Sequence, residues 1–275
     1  MGCKLSSANS INIGRLVPQV AYYVYGYAKL VEKGVIKAGD KVNITVPTGN
    51  FGNILAAYYA GKMGIPVNKL ICASNKNQVL TDFFNTGVYD INREFYLTNS
   101  PSMDILISSN LERLLYHLSG NNGEEIKALM TALDTEKRYE VSAKIKEGLA
   151  DFVGGTASVE ETNETIGKMY AEHEYLIDTH TAVAYKVYQD YVKGTGDETP
   201  TLIASTASAY KFADSAALSI GLGEEANGFE YVKALAAKTG VRVPAGLKDL
   251  ENKPVRHESV IEVADMINAV EESVK

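Results

Sequence analysis

The stretch Val46-Pro47-Thr48-Gly49-Asn50-Phe51-Gly52-Asn53 holds the residue types and spacing most suited to chemistry. An alternating apolar run of Val42, Ile44 and Val46 precedes it and a helical run from about Ile54 follows, so it reads as strand, glycine turn, helix. A turn of this kind leaves several backbone N–H groups aimed into one concavity at a helix N-terminus, where the partial positive charge favours an anion. Gly49 and Gly52 let the backbone come close to phosphate oxygens, and Thr48, Asn50 and Asn53 add side-chain donors. The chemistry indicated is phosphate binding; a tight turn with no ligand has the same spacing, and both readings stand at this point. The stretch fits neither the nucleoside-triphosphate pattern G-x-x-x-x-G-K-[ST] nor the dinucleotide pattern G-x-G-x-x-G. His117, His173, His180 and His257 lack metal-ligand spacing, Cys3 and Cys72 form no C-x-x-C pair, and no G-x-S-x-G elbow is present. Neither a metal site nor a serine nucleophile is expected. His180, between two threonines at a helix start, reads as a local hydrogen-bonding residue, and Lys4 and Lys76 as solvated surface lysines.

The elements that must position these groups alternate between strand and helix. Ser10 is expected to cap a helix over 11–32, with Leu16, Val20, Tyr23, Tyr27 and Leu30 at helical spacing and the tyrosines at 22, 23, 25 and 27 on a packed face. A strand at 41–46, a helix at 54–63 and a buried strand at 69–73 make one parallel βαβ unit. The polar run 74–78 follows that second strand, where open α/β sheets place ligands, and is a candidate pocket wall. A loop and short helices carry 81–87 and 100–118, with Asp104, Ser108, Ser109 and Asn110 as polar points, and 121–174 reads as a peripheral helical insertion with little chemistry. An amphipathic helix after Asp178, a strand at 201–204 ending in the hydroxyls of 205–208, and helices at 211–220, 229–239 and 259–274 complete the chain. The expected fold class is α/β with a parallel sheet, and 275 residues could hold one large domain or two small ones. A net charge of −7 argues against a nucleic-acid surface or an anionic membrane as partner. Two cysteines without a disulfide framework fit a reducing cytosol, so a cytoplasmic location is expected; no apolar run approaches membrane-spanning length, no apolar leader is seen, and the short match at Gly2 and Ser6 to a myristoylation pattern is discounted.

Five separated stretches, namely 7–15 (Ser7-Ala8-Asn9-Ser10-Ile11-Asn12-Ile13-Gly14-Arg15), 47–53, 74–77, 178–182 and 205–212, resemble threonine synthase in that order. The resemblance implies a pyridoxal 5'-phosphate enzyme of the tryptophan-synthase-β-like fold, fold type II, which is a three-layer αβα arrangement with a mostly parallel sheet. Such an enzyme converts O-phosphohomoserine and water to threonine and phosphate in threonine biosynthesis, and 1–275 would be a portion of its large cofactor-binding domain. By the same resemblance Thr48, Gly49, Asn50, Phe51, Gly52 and Asn53 hold the cofactor phosphate and Thr206 stands near the pyridine nitrogen. Asn9, Ser10, Asn12 and Arg15 match the substrate-side stretch, where a guanidinium fork and amide donors suit a phosphate ester and a carboxylate. Ile13, where an aromatic is common, and Ala209, in place of a proline, depart from the pattern. The family's Schiff-base lysine lies upstream of the stretch matched by 7–15, and no lysine here has its context. The expectation is therefore a C-terminal portion that is incomplete, has no catalytic residue of its own, is inactive alone and self-associates through the surface left by the missing region. The alternatives are a non-catalytic truncated paralogue that binds a phosphate ligand or a partner, and a related phospho-lyase or dehydratase of the same fold.

Overall fold

The structure is a computed structural model, and it describes residues 4, 6–225, 227–256 and 258–274. Gly2, Cys3 and His257, weighed above, lie outside the described residues. In chain order the elements are α1 (Ile13–Leu16), α2 (Val20–Glu32), β1 (Val42–Pro47), α3 (Gly52–Lys62), β2 (Val67–Ser74), α4 (Val79–Thr86), β3 (Val88–Asp90), α5 (Leu111–Leu118) and α6 (Gly123–Glu136). They continue with β4 (Arg138–Glu140), α7 (Ala143–Gly148), β5 (Phe152–Thr156), α8 (Val159–His173), α9 (Thr179–Thr195), β6 (Thr201–Ile203), α10 (Ala213–Ser219), α11 (Gly228–Thr239) and α12 (Met266–Ser273).

Four strands form one parallel sheet in the order β5, β2, β1, β6, while β3 and β4 pair as a small antiparallel ribbon. Every residue of β1 is buried, because helices cover both faces of the sheet. On one face Val42, Ile44, Val46, Leu70 and Cys72 share a core with Ile54, Leu55 and Ala57 of α3. On the other, Ile71 and Ala73 meet Val183, Ala184 and Val187 of α9. These are the three layers that the resemblance implies. Apolar residues burying on both sides stabilise the sheet by roughly 25 cal/mol per Å² removed from water.

The connections reverse direction between β1 and β6. From β1 the chain runs through α3 to β2 and onward to β5, and it then returns through α9 to β6 on the far side of β1. Such a switch point opens a crevice past the carboxyl ends of the two strands, which is where open α/β sheets bind ligands.

Several local expectations change. The helix expected over 11–32 is broken: Asn12, not Ser10, caps α1, and Pro18 sits in a 3-10 turn, Val17–Gln19, before α2. Only Tyr23 of the four tyrosines is buried; Tyr22 and Tyr25 are exposed and Tyr27 is half-buried. The loop and short helices expected over 81–87 and 100–118 are present, as Val79–Thr86, a 3-10 turn at Pro101–Met103 and Leu111–Leu118, but the last helix is confined to Met266–Ser273. Within 121–174, β5 is a strand of the main sheet and therefore not peripheral. Its Phe-Val-Gly-Gly-Thr sequence carries little strand signal because two glycines are required there. A Cβ on Gly154 would stand 2.7 Å from Thr81 Cα of α4, and one on Gly155 would stand 2.5 Å from Val187 Cγ1 of α9. Helices press on β5 from both faces.

Candidate anion site

The crevice past β1 and β6 is a cavity of about 940 Å³. Its walls come from residues 10–26 on one side, from 47–53 after β1, from Ser102, and from 202–206 at the end of β6. Among the described residues Arg15 is the one charged side chain that lines it, so the acidic chain presents no carboxylate there.

The floor is the turn into α3. Phe51 is its N-cap and adopts the left-handed conformation (φ 65°, ψ 0°), which L-residues reach at a cost of about 1–2 kcal/mol. Its side chain is buried against Phe84 and Phe152, with ring centroids 6.0 and 6.1 Å away, and that packing holds the bend. Among the described residues the N–H groups of Gly49, Asn50, Phe51, Gly52 and Asn53 make no hydrogen bond. The neighbouring carbonyls, by contrast, are engaged. Val46 O accepts from Thr48 Oγ1 (2.8 Å), Gly49 O from Ser108 Oγ (2.7 Å), and Phe51 O from Leu55 N (3.1 Å). Asn50 O accepts twice from Asn110, from its backbone N (3.2 Å) and its Nδ2 (2.9 Å). Acceptors that would repel an anion are thus tied off and a run of donors is left without a protein partner, a nest reinforced by the N-terminus of α3.

A second bracket sets the height of the turn. Ser102 N donates to His180 Nε2 (3.2 Å), so that nitrogen carries the lone pair and Nδ1 bears the proton, which faces Asp178 Oδ1 at 3.2 Å. Burial pushes the Asp178 carboxyl up, but the hydrogen bonds from His180 and Thr181 outweigh it and hold the group below its usual range. The imidazole packs on Phe212, 4.7 Å between ring centroids. Ser102 O then lies 2.5 Å from where a Cβ on Gly49 would be, so only glycine fits. Asn75 and Asn77 do not line the cavity as the sequence suggested. They brace the segment that carries Ser102: Asn75 Nδ2 donates to Asp104 Oδ1 (2.7 Å), Asn77 Nδ2 to Tyr96 O (2.8 Å), and Thr98 N to Asp104 Oδ2 (2.8 Å).

The structure brings most of the sequence-predicted residues together. Thr48, Gly49, Asn50, Phe51, Gly52, Asn53, Ser10, Arg15 and Thr206 all border the one cavity. Phe51 contributes backbone only, its ring being in the core. The Asn53 side chain is also committed: it accepts from Tyr23 Oη and donates to Gln19 Oε1 (2.9 Å), and burial pushes the Tyr23 hydroxyl far above the usual phenol range, so it stays a neutral donor. Asn9 and Asn12 are not in the cavity wall; Asn12 Oδ1 accepts from Gly14 N (2.8 Å) as the cap of α1. Arg15 lines the cavity and donates Nη1 to Ala8 O (3.0 Å). Sequence reasoning missed Ser102, marked Ser108 and Asn110 only as polar points, and read His180 as a local hydrogen-bonding residue, which it is, without the link to Ser102. The one local signal was the polar run Ser108-Ser109-Asn110 ahead of an apolar helix, with no spacing that ties it to a loop sixty residues earlier.

A family model described as "Threonine synthase, C-terminal" matches residues 181–274. The chain is 48% identical over 215 residues to "Threonine synthase-like 1" of Homo sapiens, covering 77% of this chain and 28% of that protein. It is 39% identical over 226 residues to threonine synthase of Saccharomyces cerevisiae, covering 77% of this chain and 43% of that one. Among solved structures, PLP-bound threonine synthase from Brucella melitensis superposes with a TM-score of 0.80 at 33% identity, over 98% of this chain and 52% of its own. Threonine synthase from yeast gives a TM-score of 0.81 at 34% identity, over 97% and 53%. The chain thus spans between about a quarter and a half of the length of these relatives. It shares sequence and fold through most of its length with part of the threonine synthases, and its C-terminal third, 181–274, matches that family's own C-terminal model.

Proposed function

We propose that this chain supplies the phosphate-binding part of a pyridoxal 5'-phosphate site, and that within a complete site it serves the conversion of O-phosphohomoserine and water to threonine and phosphate. The observation that carries the reading is the run of five unpartnered N–H groups at Gly49 to Asn53, facing a cavity wall without a carboxylate. That donor set fits the cofactor's phosphate: it is local, it is preorganised by tied-off carbonyls, and the glycine at 49 keeps it open. Thr48, Gly49, Asn50, Phe51, Gly52 and Asn53 would hold the phosphate through backbone groups. Thr206, exposed into the same cavity at the end of β6, is the hydroxyl for the ring nitrogen. A neutral hydroxyl leaves that nitrogen unprotonated, where a carboxylate would keep a proton on it. When bound, the cofactor supplies an electron sink for negative charge on the substrate's carbons.

The remaining steps belong to side chains. Arg15 offers a guanidinium fork to a phosphate ester or carboxylate from the cavity wall, with Ser10 beside it and Asn9 and Asn12 shaping the same arm. Among the described residues no lysine lines the cavity, so the group that carries the cofactor and moves protons between substrate carbons must come from elsewhere in a complete site. The chain alone is accordingly expected to bind but not turn over. The same observation favours a second reading, a non-catalytic protein that keeps the phosphate site, in keeping with the "threonine synthase-like" name of the human relative. A cytoplasmic location and self-association through the exposed apolar residues of α1 and α2 complete the proposal. The free, buried thiol of Cys72, pushed up to about 12 by burial, suits a reducing compartment.

An amide-resolved NMR titration with inorganic phosphate tests the site. Saturable shifts at the N–H groups of Gly49 to Asn53 are expected; shifts confined to surface lysines, with that loop unmoved, would defeat the reading. Phosphate release from O-phosphohomoserine, absent with the chain and cofactor alone and restored by the rest of a family member added in trans, separates the catalytic reading from the non-catalytic one.

A further inference from the structure

The tied-off carbonyls are the other halves of the peptide groups that face the cavity. Asn50 O and Phe51 N–H belong to one planar amide, so an anion that accepts from Phe51 N–H draws charge onto Asn50 O and makes it a better acceptor. That oxygen is held by Asn110 Nδ2 (2.9 Å), whose second hydrogen goes to Ser10 O (3.1 Å). The carboxamide oxygen of Asn110 accepts from Arg113 Nη1, and Arg113 Nη2 donates to Ile11 O (2.9 Å). Asn110 is fully buried and both its Nδ2 hydrogens are used. The arm it reaches is largely exposed through residues 6–13, and its described anchors near Ser10 and Ile11 are these two bonds.

We propose that Asn110 is a positioning residue that couples the anion loop to the arm carrying Ser10 and Arg15, so that an anion held by the loop tightens the arm. The inference rests on the reading of the loop as an anion site. A stronger bond from Asn110 to Asn50 O polarises the carboxamide and strengthens its acceptance from Arg113, which holds the guanidinium more firmly in the place from which its Nη2 reaches Ile11 O. The coupling gives binding an order: the loop fills first, and the arm that bears Arg15 then settles over the cavity. A purely structural Asn110 would support loop and arm alike whether or not an anion is present.

Hydrogen exchange with and without inorganic phosphate distinguishes the two. In the unaltered chain, phosphate is expected to slow exchange at the loop amides and also at those of residues 10–16. In Arg113→Gln, at a half-buried position outside the cavity wall, loop slowing should persist while the phosphate-dependent slowing of the arm falls by about tenfold, the equivalent of one to two ordinary hydrogen bonds. Asn110→Ala should remove the arm response and weaken the loop response as well. Arm slowing of undiminished size in Arg113→Gln overturns the coupling and leaves the loop reading intact. No slowing at the loop of the unaltered chain overturns the loop reading, and the coupling with it.

Discussion

At Gly49 a single methyl group decides whether the turn can keep its shape. The added Cβ of Gly49→Ala would meet Ser102 O, a backbone atom that His180 and the turn at Pro101 hold in place. The substitution is expected to lower stability by about 1–3 kcal/mol through overpacking and to abolish measurable phosphate binding, checked by thermal unfolding and calorimetry. Phe51 allows a sharper test, because its ring is in the core while its backbone is left-handed. Phe51→Ala should cost about 3–5 kcal/mol. Phe51→Gly loses the same packing but relieves the backbone, so it should be more stable than the alanine variant by about 1 kcal/mol, the reverse of the usual order. The G-x-x-G spacing made this loop legible in the sequence. What stayed hidden was why its donors are free, since the carbonyls are satisfied by Ser108 and Asn110, some sixty residues away, and no local pattern records such a contact.

Between elements, the sheet is locked at the end opposite the site by Asp197. Its carboxylate accepts from Thr199 N (2.9 Å), Tyr191 Oη (2.6 Å), Asn43 Nδ2 (3.0 Å) and Asn68 Nδ2 (3.2 Å), joining α9, β1 and β2. The bonds from Thr199 and then Tyr191 hold the carboxyl well below its ordinary range. A group whose folded value is depressed stabilises the fold above its unfolded value of about 3.9, and that contribution is lost as pH falls toward the folded value. Solvent screens a group this close to the surface, so Asp197→Asn should cost about 1 kcal/mol at pH 7 and flatten the loss of stability as pH falls below about 5, followed by denaturant unfolding across that range. The βαβ unit around the loop could be read from alternation and glycines, whereas β5 could not. There the requirement for close helix packing on both faces replaces apolar residues by Gly154 and Gly155, and Gly155→Val should destabilise the sheet edge by more than a surface substitution would, measured by the same unfolding.

For the molecule as a whole, α1, the 3-10 turn after it and α2 leave Ile13 (52% exposed), Val17 (55%), Tyr22 (61%) and Tyr25 (65%) exposed, an apolar character unusual for an isolated domain. Sedimentation of the chain is expected to show concentration-dependent self-association, reduced by the pair Val17→Ser and Tyr25→Ser; a strictly monomeric chain at high concentration would contradict it. The parallel α/β fold was legible from strand and helix alternation, and the cavity from the polar ends of two strands. The division of labour inside it was not, because Asn12 and Asn53 have side chains of the right type that the structure spends on a helix cap and on Tyr23 and Gln19. The central claim is that the loop binds the phosphate of a pyridoxal-type cofactor, and calorimetry with 4-deoxypyridoxine 5'-phosphate, which cannot react with surface lysines, tests it most directly. The phosphorylated compound should bind at least about a hundredfold more tightly than 4-deoxypyridoxine itself, be displaced by inorganic phosphate, and lose its affinity in Gly49→Ala. Equal binding of the two compounds, or undiminished binding to Gly49→Ala, would contradict the account.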